Sequence, residues 1–322
     1  DDGERPPLDP DQQGVGDLKE PEIDAITLTV IWNGIMSIAE ELGITLRHTA
    51  FSEGVREGDD FSTAVFDRQG RMIAQGNFSP GHLGSMPYVV QHVREYFSGD
   101  MLKPGDSVAL NDSFMGSGHF PDVFQVMPVF LDEEIIGYVA TSAHQVDMGG
   151  AAPGSQKVHG VTEAFQEGLR ILPVRLVRQG VFDEDIMRIV LGNVRMPDKV
   201  RGDLGAQHGA NLMAADRLVK LHQEYGTDLI ERVHELILER TEVHMREALA
   251  QVPEGTYSFE DYMDDFGPDT DPIKVAVDVT FKDSAVVLDF SGSSDQVPAA
   301  INSYINYTRA YAVFAVKVFC DA

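Results

Sequence analysis

Regular patterning begins at Asp24. Ile26, Val30, Ile31, Ile35, Ile38 and Leu42 recur at helical spacing and predict a long helix over 25–46, with Trp32 in the core or at an interface. Alternation then replaces that period. Two β-arms follow Asp59-Asp60, from Phe61 to about Gln75, around an Asp67-Arg68-Gln69-Gly70 turn. The loop 80–87 is punctuated by glycine and proline, and a helix is predicted over 88–97. A strand follows Lys103-Pro104-Gly105 and ends at Asn111-Asp112. Next comes an apolar hairpin, with arms over 123–130 and 135–140 around Leu131-Asp132-Glu133-Glu134. Residues 183–250 return to the helical period in three pieces: one closing near Asn193, one over 199–225 and one over 227–250. Pro253-Glu254-Gly255 opens a second β region, whose arms 274–280 and 285–290 flank Lys282-Asp283-Ser284. A helix is predicted over 303–318.

The expected fold class is therefore α+β, with mixed sheets and hairpins around a central helical segment. Four parts are expected: an acidic tail or partner-binding arm over 1–22, an α+β region over 23–182, a helical region over 183–252, and a second β region with a helix over 253–322. The pattern stops at Ala322 without a closing element, which reads as the N-terminal part of a larger, truncated subunit.

Composition narrows the function. The chain has 322 residues, 43% of them hydrophobic, enough for a large core. No apolar run reaches the roughly 18 residues of a membrane helix and no basic-apolar leader is present, so a soluble, cytoplasmic protein is expected. A net charge of −27 argues against a nucleic-acid or anionic-membrane surface. The lone cysteine, Cys320, excludes an intrachain disulfide and a cysteine zinc cage. There is no Walker loop, dinucleotide-binding glycine turn or Gly-x-Ser-x-Gly elbow, so a nucleotide, if used, is expected on a partner.

Candidate chemistry gathers between Asn111 and Gly150. Two His-x-x-Asp units, His119 to Asp122 and His144 to Asp147, lie at the two ends of the apolar hairpin, each beside glycines. Antiparallel pairing brings the second unit back to the first. Two neutral imidazoles with one or two carboxylates suit a divalent ion such as Zn, Mn or Fe, although a His-x-x-Asp unit can also be a loop hydrogen bond. His82, pinned among glycines and prolines, is a candidate acid or base. Asp59 and Asp60 are candidate site carboxylates, with a solvated turn as the ordinary alternative. Asn111 and Asp112 emerge at a sheet edge, where substrate contacts often form. Glu167, Arg170 and Arg175 carry charge in an apolar run, either to bind an anion or to pair with carboxylates. Histidines 222, 234 and 244 are expected to be surface or packing residues.

Several of these stretches together resemble the hydantoinase B/oxoprolinase family. They are Asp60-Phe61-Ser62, His82-Leu83-Gly84-Ser85-Met86-Pro87, Asn111-Asp112, Gly118-His119-Phe120-Pro121-Asp122, His144-Gln145-Val146-Asp147-Met148-Gly149-Gly150, Phe165-Gln166-Glu167-Gly168-Leu169-Arg170 and Asp289-Phe290-Ser291-Gly292. The resemblance runs from about Asp24 to the last residue. It implies a B-type subunit that works with an A-type, hydantoinase A-like partner in a hetero-oligomer, the partner using ATP and Mg to phosphorylate a carbonyl or bicarbonate. It further implies His119, Asp122 and His144 as metal ligands, with Asp147 as a fourth ligand or an orienting group. His82, Asp59 or Asp147 would move protons, and Asn111, Asp112 and Arg170 would face the substrate. The implied reaction is ATP-dependent hydrolysis of a cyclic amide: a hydantoin, 5-oxoproline or a lactam. The alternatives are a biotin-independent ketone carboxylase component and a non-catalytic assembly partner. Gln145 departs from the family, which often has a second histidine there, and Gly116-Ser117-Gly118 replaces its common Gly-Gly-Thr.

Overall fold

A computed structural model describes residues 23–116 and 118–320. The acidic segment 1–22 lies outside the described residues. Helix α1 (Ala25–Thr49) is followed by the single turn α2 (Glu53–Arg56), the hairpin β1 (Phe61–Asp67) and β2 (Met72–Gln75), and α3 (Pro80–Tyr96). Then come β3 (Ser107–Leu110), the hairpin β4 (Asp122–Leu131) and β5 (Glu134–His144), and the short pair β6 (Val174–Arg178) and β7 (Val181–Phe182). The helices α4 (Glu184–Gly192), α5 (Pro197–Tyr225) and α6 (Thr227–Ala250) precede β8 (Gly255–Met263), β9 (Ile273–Lys282), β10 (Ala285–Asp289) and the final helix α7 (Ile305–Cys320). The chain is α+β, as its patterning implies.

Strands β1–β7 form one antiparallel sheet in the order β2-β1-β5-β4-β3-β6-β7. Both faces are covered. On one side Phe61, Val65, Met127, Val139 and Ala143 meet α1, α5 and α6. On the other, Ala64, Phe66, Phe124, Val126, Tyr138 and Ala140 meet α3. This two-sided burial explains why β4 and β5 read as apolar runs rather than alternating ones. Phe61, Phe66 and Phe124 are fully buried, each contributing about 1.5–3 kcal/mol of transfer free energy. Helix α1 starts at Asp24, whose Oδ1 accepts from the Ile26 and Thr27 N–H groups at 3.0 Å each, satisfying donors the helix cannot.

Side chains alternate along a strand, so Asp122 shares the α3 face with Phe124 and Val126, and His144 shares it with Ala140 and Tyr138. The β4–β5 register pairs Asp122 directly with His144. At the other end Asp132, at φ 56°, turns the hairpin tightly.

Two expectations are corrected. The glycine- and proline-rich stretch 80–87 is not a loop: α3 begins at Pro80 and runs through Pro87. Proline at a first helical position costs no hydrogen bond, and Gly81 and Gly84 serve a packing need. A Cβ on Gly84 would lie 2.5 Å from Ala310, and one on Gly81 would meet the Tyr307 ring, so these glycines let α7 lie close against α3. The second concerns β8: the second β region is present, but where only a turn over 253–257 is expected, its first strand already begins at Gly255. It pairs with β9 over its whole length in a separate sheet ordered β10-β9-β8.

Candidate metal centre

At the open end of the β4–β5 hairpin three donor atoms converge. His119 Nε2 lies 2.9 Å from Asp122 Oδ1 and 3.1 Å from His144 Nδ1. His144 Nδ1 lies 3.1 Å from the same Asp122 oxygen. Among the described residues these three form the one group of His, Cys, Asp or Glu whose donors are gathered closely enough to hold a metal ion. Asp122 and His144 meet because the strand register places them opposite each other. His119 joins through the turn that closes when the Asp122 N–H donates to its carbonyl. The site opens to one side: the His119 side chain is 34% exposed and that of His144 16%, whereas Asp122 is buried.

His82 completes the cluster from α3. It is buried, with Nε2 3.2 Å from Asp122 Oδ2. Burial alone would raise the Asp122 carboxyl, but His82, with His119 and His144, holds it well below its ordinary range. Burial would likewise lower His82 and His119, and the Asp122 carboxylate reverses this and raises both. Three imidazoles thus gather around one ionised carboxylate.

The remaining sequence candidates separate. Asp60 stands at the rim, its Oδ2 3.8 Å from His144 Nδ1. Asp59, at φ 52°, turns away to pair with Arg47 at 2.6 Å. Asp147 does not return to the cluster. Its buried carboxylate accepts from the Gly149 N–H, the Arg195 N–H and the Arg195 guanidinium, because the chain bends after His144 to meet the loop before α5. Asn111 is a structural brace: its amide donates to the Phe120 and Leu169 carbonyls and accepts from the Ile171 N–H. Asp112 accepts from the Phe114 N–H and pairs with Arg170. Arg170 also lies over the Phe114 ring, 5.7 Å from its centre. Gln145 is buried and donates to Gln207 of α5.

Of three further residues in this region, Glu167 is expected from sequence to bind an anion or to pair, and Tyr304 and Tyr307 have no role in the sequence pattern. Burial raises the Glu167 carboxyl above its ordinary value, against the nearby charge of His119. Tyr304 precedes α7 and Tyr307 lies on it. Tyr307 packs where a Cβ on Gly81 or Gly118 would clash with its ring, and burial beside Asp122 raises its phenol. Tyr304 meets Phe114 edge to face at 4.9 Å. Nothing in the local spacing of α7 signals this, because the contact depends on α7 crossing α3. Glu167, Glu163, Phe114 and Tyr304 also line a cleft of about 420 Å³.

A buried hairpin end that gathers two imidazoles and a carboxylate defines a class of α+β protein with a candidate metal site, and the similarities of the whole chain agree. The sequence model of the Hydantoinase B/oxoprolinase family matches residues 24–322, and the chain belongs to that family. It is 32% identical over 288 residues to the B component of a putative D-/L-hydantoinase from Pseudomonas sp. (strain NS671), covering 87% of this chain and 48% of that one. The fold is similar to that of the ATP-dependent caprolactamase of Pseudomonas jessenii, with a TM-score of 0.86, 30% identity, and coverage of 94% of this chain and 52% of that one. It is also similar to nucleotide-free acetone carboxylase, with a TM-score of 0.84, 18% identity, and coverage of 92% and 41%; at that identity the likeness concerns fold alone. The chain spans about half the length of some of the curated relatives it matches, the hydantoinase and caprolactamase components among them, and about a quarter of the length of others, including the 5-oxoprolinases. No helix among the described residues is long and apolar enough to cross a membrane.

Proposed function

We propose that this chain is the metal-dependent, B-type part of an ATP-dependent cyclic amide hydrolase, acting on a ring carbonyl that an A-type partner phosphorylates. The observation that carries this reading is the convergence of His119 Nε2, His144 Nδ1 and Asp122 Oδ1 at a partly exposed hairpin end. The donor set fits a first-row divalent ion: two imidazole nitrogens and one carboxylate oxygen. The second oxygen, Asp122 Oδ2, is buried with only the ion contact to His82 and no hydrogen bond of its own. Zn, Mn and Fe all suit such donors.

His119, Asp122 and His144 would hold the ion, and His82 would keep Asp122 ionised and oriented. A bound divalent ion supplies Lewis acidity to an oxygen brought beside it. An unstrained amide is a poor electrophile, which is why its carbonyl needs prior phosphorylation. The chain's own residues bind and orient the activated ring. Phe114 and Tyr304 wall the cleft, and Tyr307 closes the site on the α7 side. Asp60, at the rim, is placed to exchange a proton with water. The hydantoinase and caprolactamase names of its relatives support the amide class.

The test is elemental analysis of the purified chain, followed by ATP-dependent ring opening of a lactam or hydantoin with the A-type partner present. About one equivalent of metal, lost in His119→Ala and His144→Ala, with ring opening lost in parallel, is expected. Absence of metal after reconstitution would leave a non-catalytic assembly role. Incorporation of labelled bicarbonate into a ketone, in place of ring opening, would make the chain part of a carboxylase.

A further inference from the structure

One aromatic side chain from the last helix packs beside the candidate metal centre. Tyr307 of α7 is half-buried, and two glycines on separate elements make room for its ring. A Cβ on Gly118 would stand 2.8 Å from the ring edge, and one on Gly81 would stand 2.6 Å from Cζ and 2.7 Å from the hydroxyl oxygen. Gly118 immediately precedes His119 and Gly81 immediately precedes His82, and consecutive Cα atoms are only about 3.8 Å apart. The ring therefore lies against the backbone that carries two of the cluster's histidines. Its place on α7 is pinned from both sides. The Asn306 amide donates to the Phe114 carbonyl at 3.1 Å, and Ala310 packs into the space that Gly84 leaves open.

Burial raises the Tyr307 phenol above its ordinary value, with Asp122, Tyr311 and Asp60 adding to the rise, so the hydroxyl keeps its proton at neutral pH and can donate. Asp122 opens β4 among the converging donors, and Asp60 stands at the rim, 3.8 Å from His144 Nδ1. A hydroxyl on which both carboxylates act lies at the end of the hairpin. Two imidazoles and one carboxylate oxygen leave a divalent ion room for a further ligand, which has to enter along the exposed flank of His119 and His144. With His119 and His144 holding the ion and His82 turned to Asp122, the imidazole nitrogens facing the cluster are all engaged. The phenol remains as the neutral donor, and the carboxylates on that side can only repel an anion.

We propose that the Tyr307 hydroxyl donates a hydrogen bond to the oxygen or anion that fills the open side of an ion held by His119, Asp122 and His144. Tyr307 then contacts the incoming ligand and does not support the ion itself. This assignment rests on the metal reading above and adds to it a residue from α7.

The test uses the full chain loaded with Co(II), whose visible absorption reports what joins it, and two probe ligands, azide and imidazole. The metal-bound nitrogen of azide keeps a lone pair that can accept a hydrogen bond, whereas that of imidazole does not. Tyr307→Phe retains the ring and its packing and removes only the donor. Co(II) affinity and unfolding temperature should match wild type, and azide should bind about 10- to 100-fold more weakly, the usual effect of one hydrogen bond to a charged acceptor. Imidazole binding should be unchanged. Undiminished azide binding in the Tyr307→Phe protein overturns the assignment. Equal weakening of both probes overturns it as well, because a merely structural role would act on the two alike. Failure of the wild-type chain to hold Co(II), or full retention of Co(II) by His119→Ala and His144→Ala, overturns the metal reading and this assignment together. That outcome is distinct from a Co(II) site at which the two probes do not discriminate the variant from wild type.

Discussion

Two groups of buried histidines in this molecule behave in opposite ways. His222 on α5 and His234 on α6 face each other with ring centres 6.2 Å apart. They are 1% and 2% exposed, and the Nε2 of each has no hydrogen-bond partner. Among the described residues no carboxylate lies within ion-pair distance of either ring, and burial lowers His222 to about 4 and His234 to about 3. At the hairpin end, His82 and His119 are raised because Asp122 stands between them. Burial alone makes a neutral packing residue; imidazoles gathered around a buried carboxylate, with one side exposed, make a candidate ligand set. A count of histidines could not separate the two groups.

The largest effect should come from removing the residue that distinguishes them. Asp122→Ala takes away one donor and leaves His82 buried without its counter-ion. Metal should disappear from elemental analysis, a loss beyond the roughly 10- to 100-fold that outer partners of a ligand usually contribute. Retention of a full equivalent in this variant would place the ion elsewhere and dissolve the contrast.

Next in size is the acid response of the His222–His234 pair. As pH falls below about 6.5 the unfolded chain takes up protons that the folded chain refuses until about pH 4 at His222 and about pH 3 at His234. The unfolded state then binds more protons, so stability is lost as pH decreases through that window, at up to ~1.4 kcal/mol per pH unit for each group. The raised His82 and His119 give the opposite slope near neutral pH, so the contribution is read as a difference. Urea unfolding of metal-free wild type and His234→Leu between pH 7 and 5 should differ in slope by about the share of one such histidine. An unchanged slope would mean that these rings are not the acid-sensitive element.

A smaller effect separates the ligands from the histidine behind them. His82→Gln removes the charge that keeps Asp122 ionised but none of the three converging donors. Metal affinity should weaken by about 10- to 100-fold, as for other groups that orient a ligand, and remain measurable by competition with a chelator. Complete loss would make His82 a ligand in its own right.

How far these features are legible from sequence depends on the range of the interaction. The hairpin is readable because its apolar arms and turn are contiguous in sequence, and the register that joins Asp122 to His144 follows from pairing alone. Asp147 misleads because its partner, Arg195, lies 48 residues away on the loop before α5. Asp59 and Asp60 are neighbours in sequence, and only a left-handed backbone at Asp59 decides which one faces the cluster. Glu167 reads by default as half of an ion pair, yet its neighbour Arg170 spends its charge on Asp112 instead. Tyr304 and Tyr307 could not be placed at all, since their position depends on α7 packing across Gly81 and Gly84.

That last contact offers the finest test of the contrast. The His222–His234 pair is sealed between helices, whereas the candidate metal cluster has Tyr307 packed beside it, against Gly118 and Gly81. Gly118 lies against that ring, and a Cβ added there would stand 2.8 Å from it. Gly118→Ala should therefore push Tyr307 outward at a cost near the low end of the roughly 1–3 kcal/mol typical of overpacking, read as a small fall in unfolding temperature. Metal affinity should barely change, because the donors are set by the β4–β5 register and by α3 rather than by α7. If affinity instead fell along with stability, Tyr307 would be part of what holds the cluster closed, and the open side of the site would be narrower than the exposure of His119 implies.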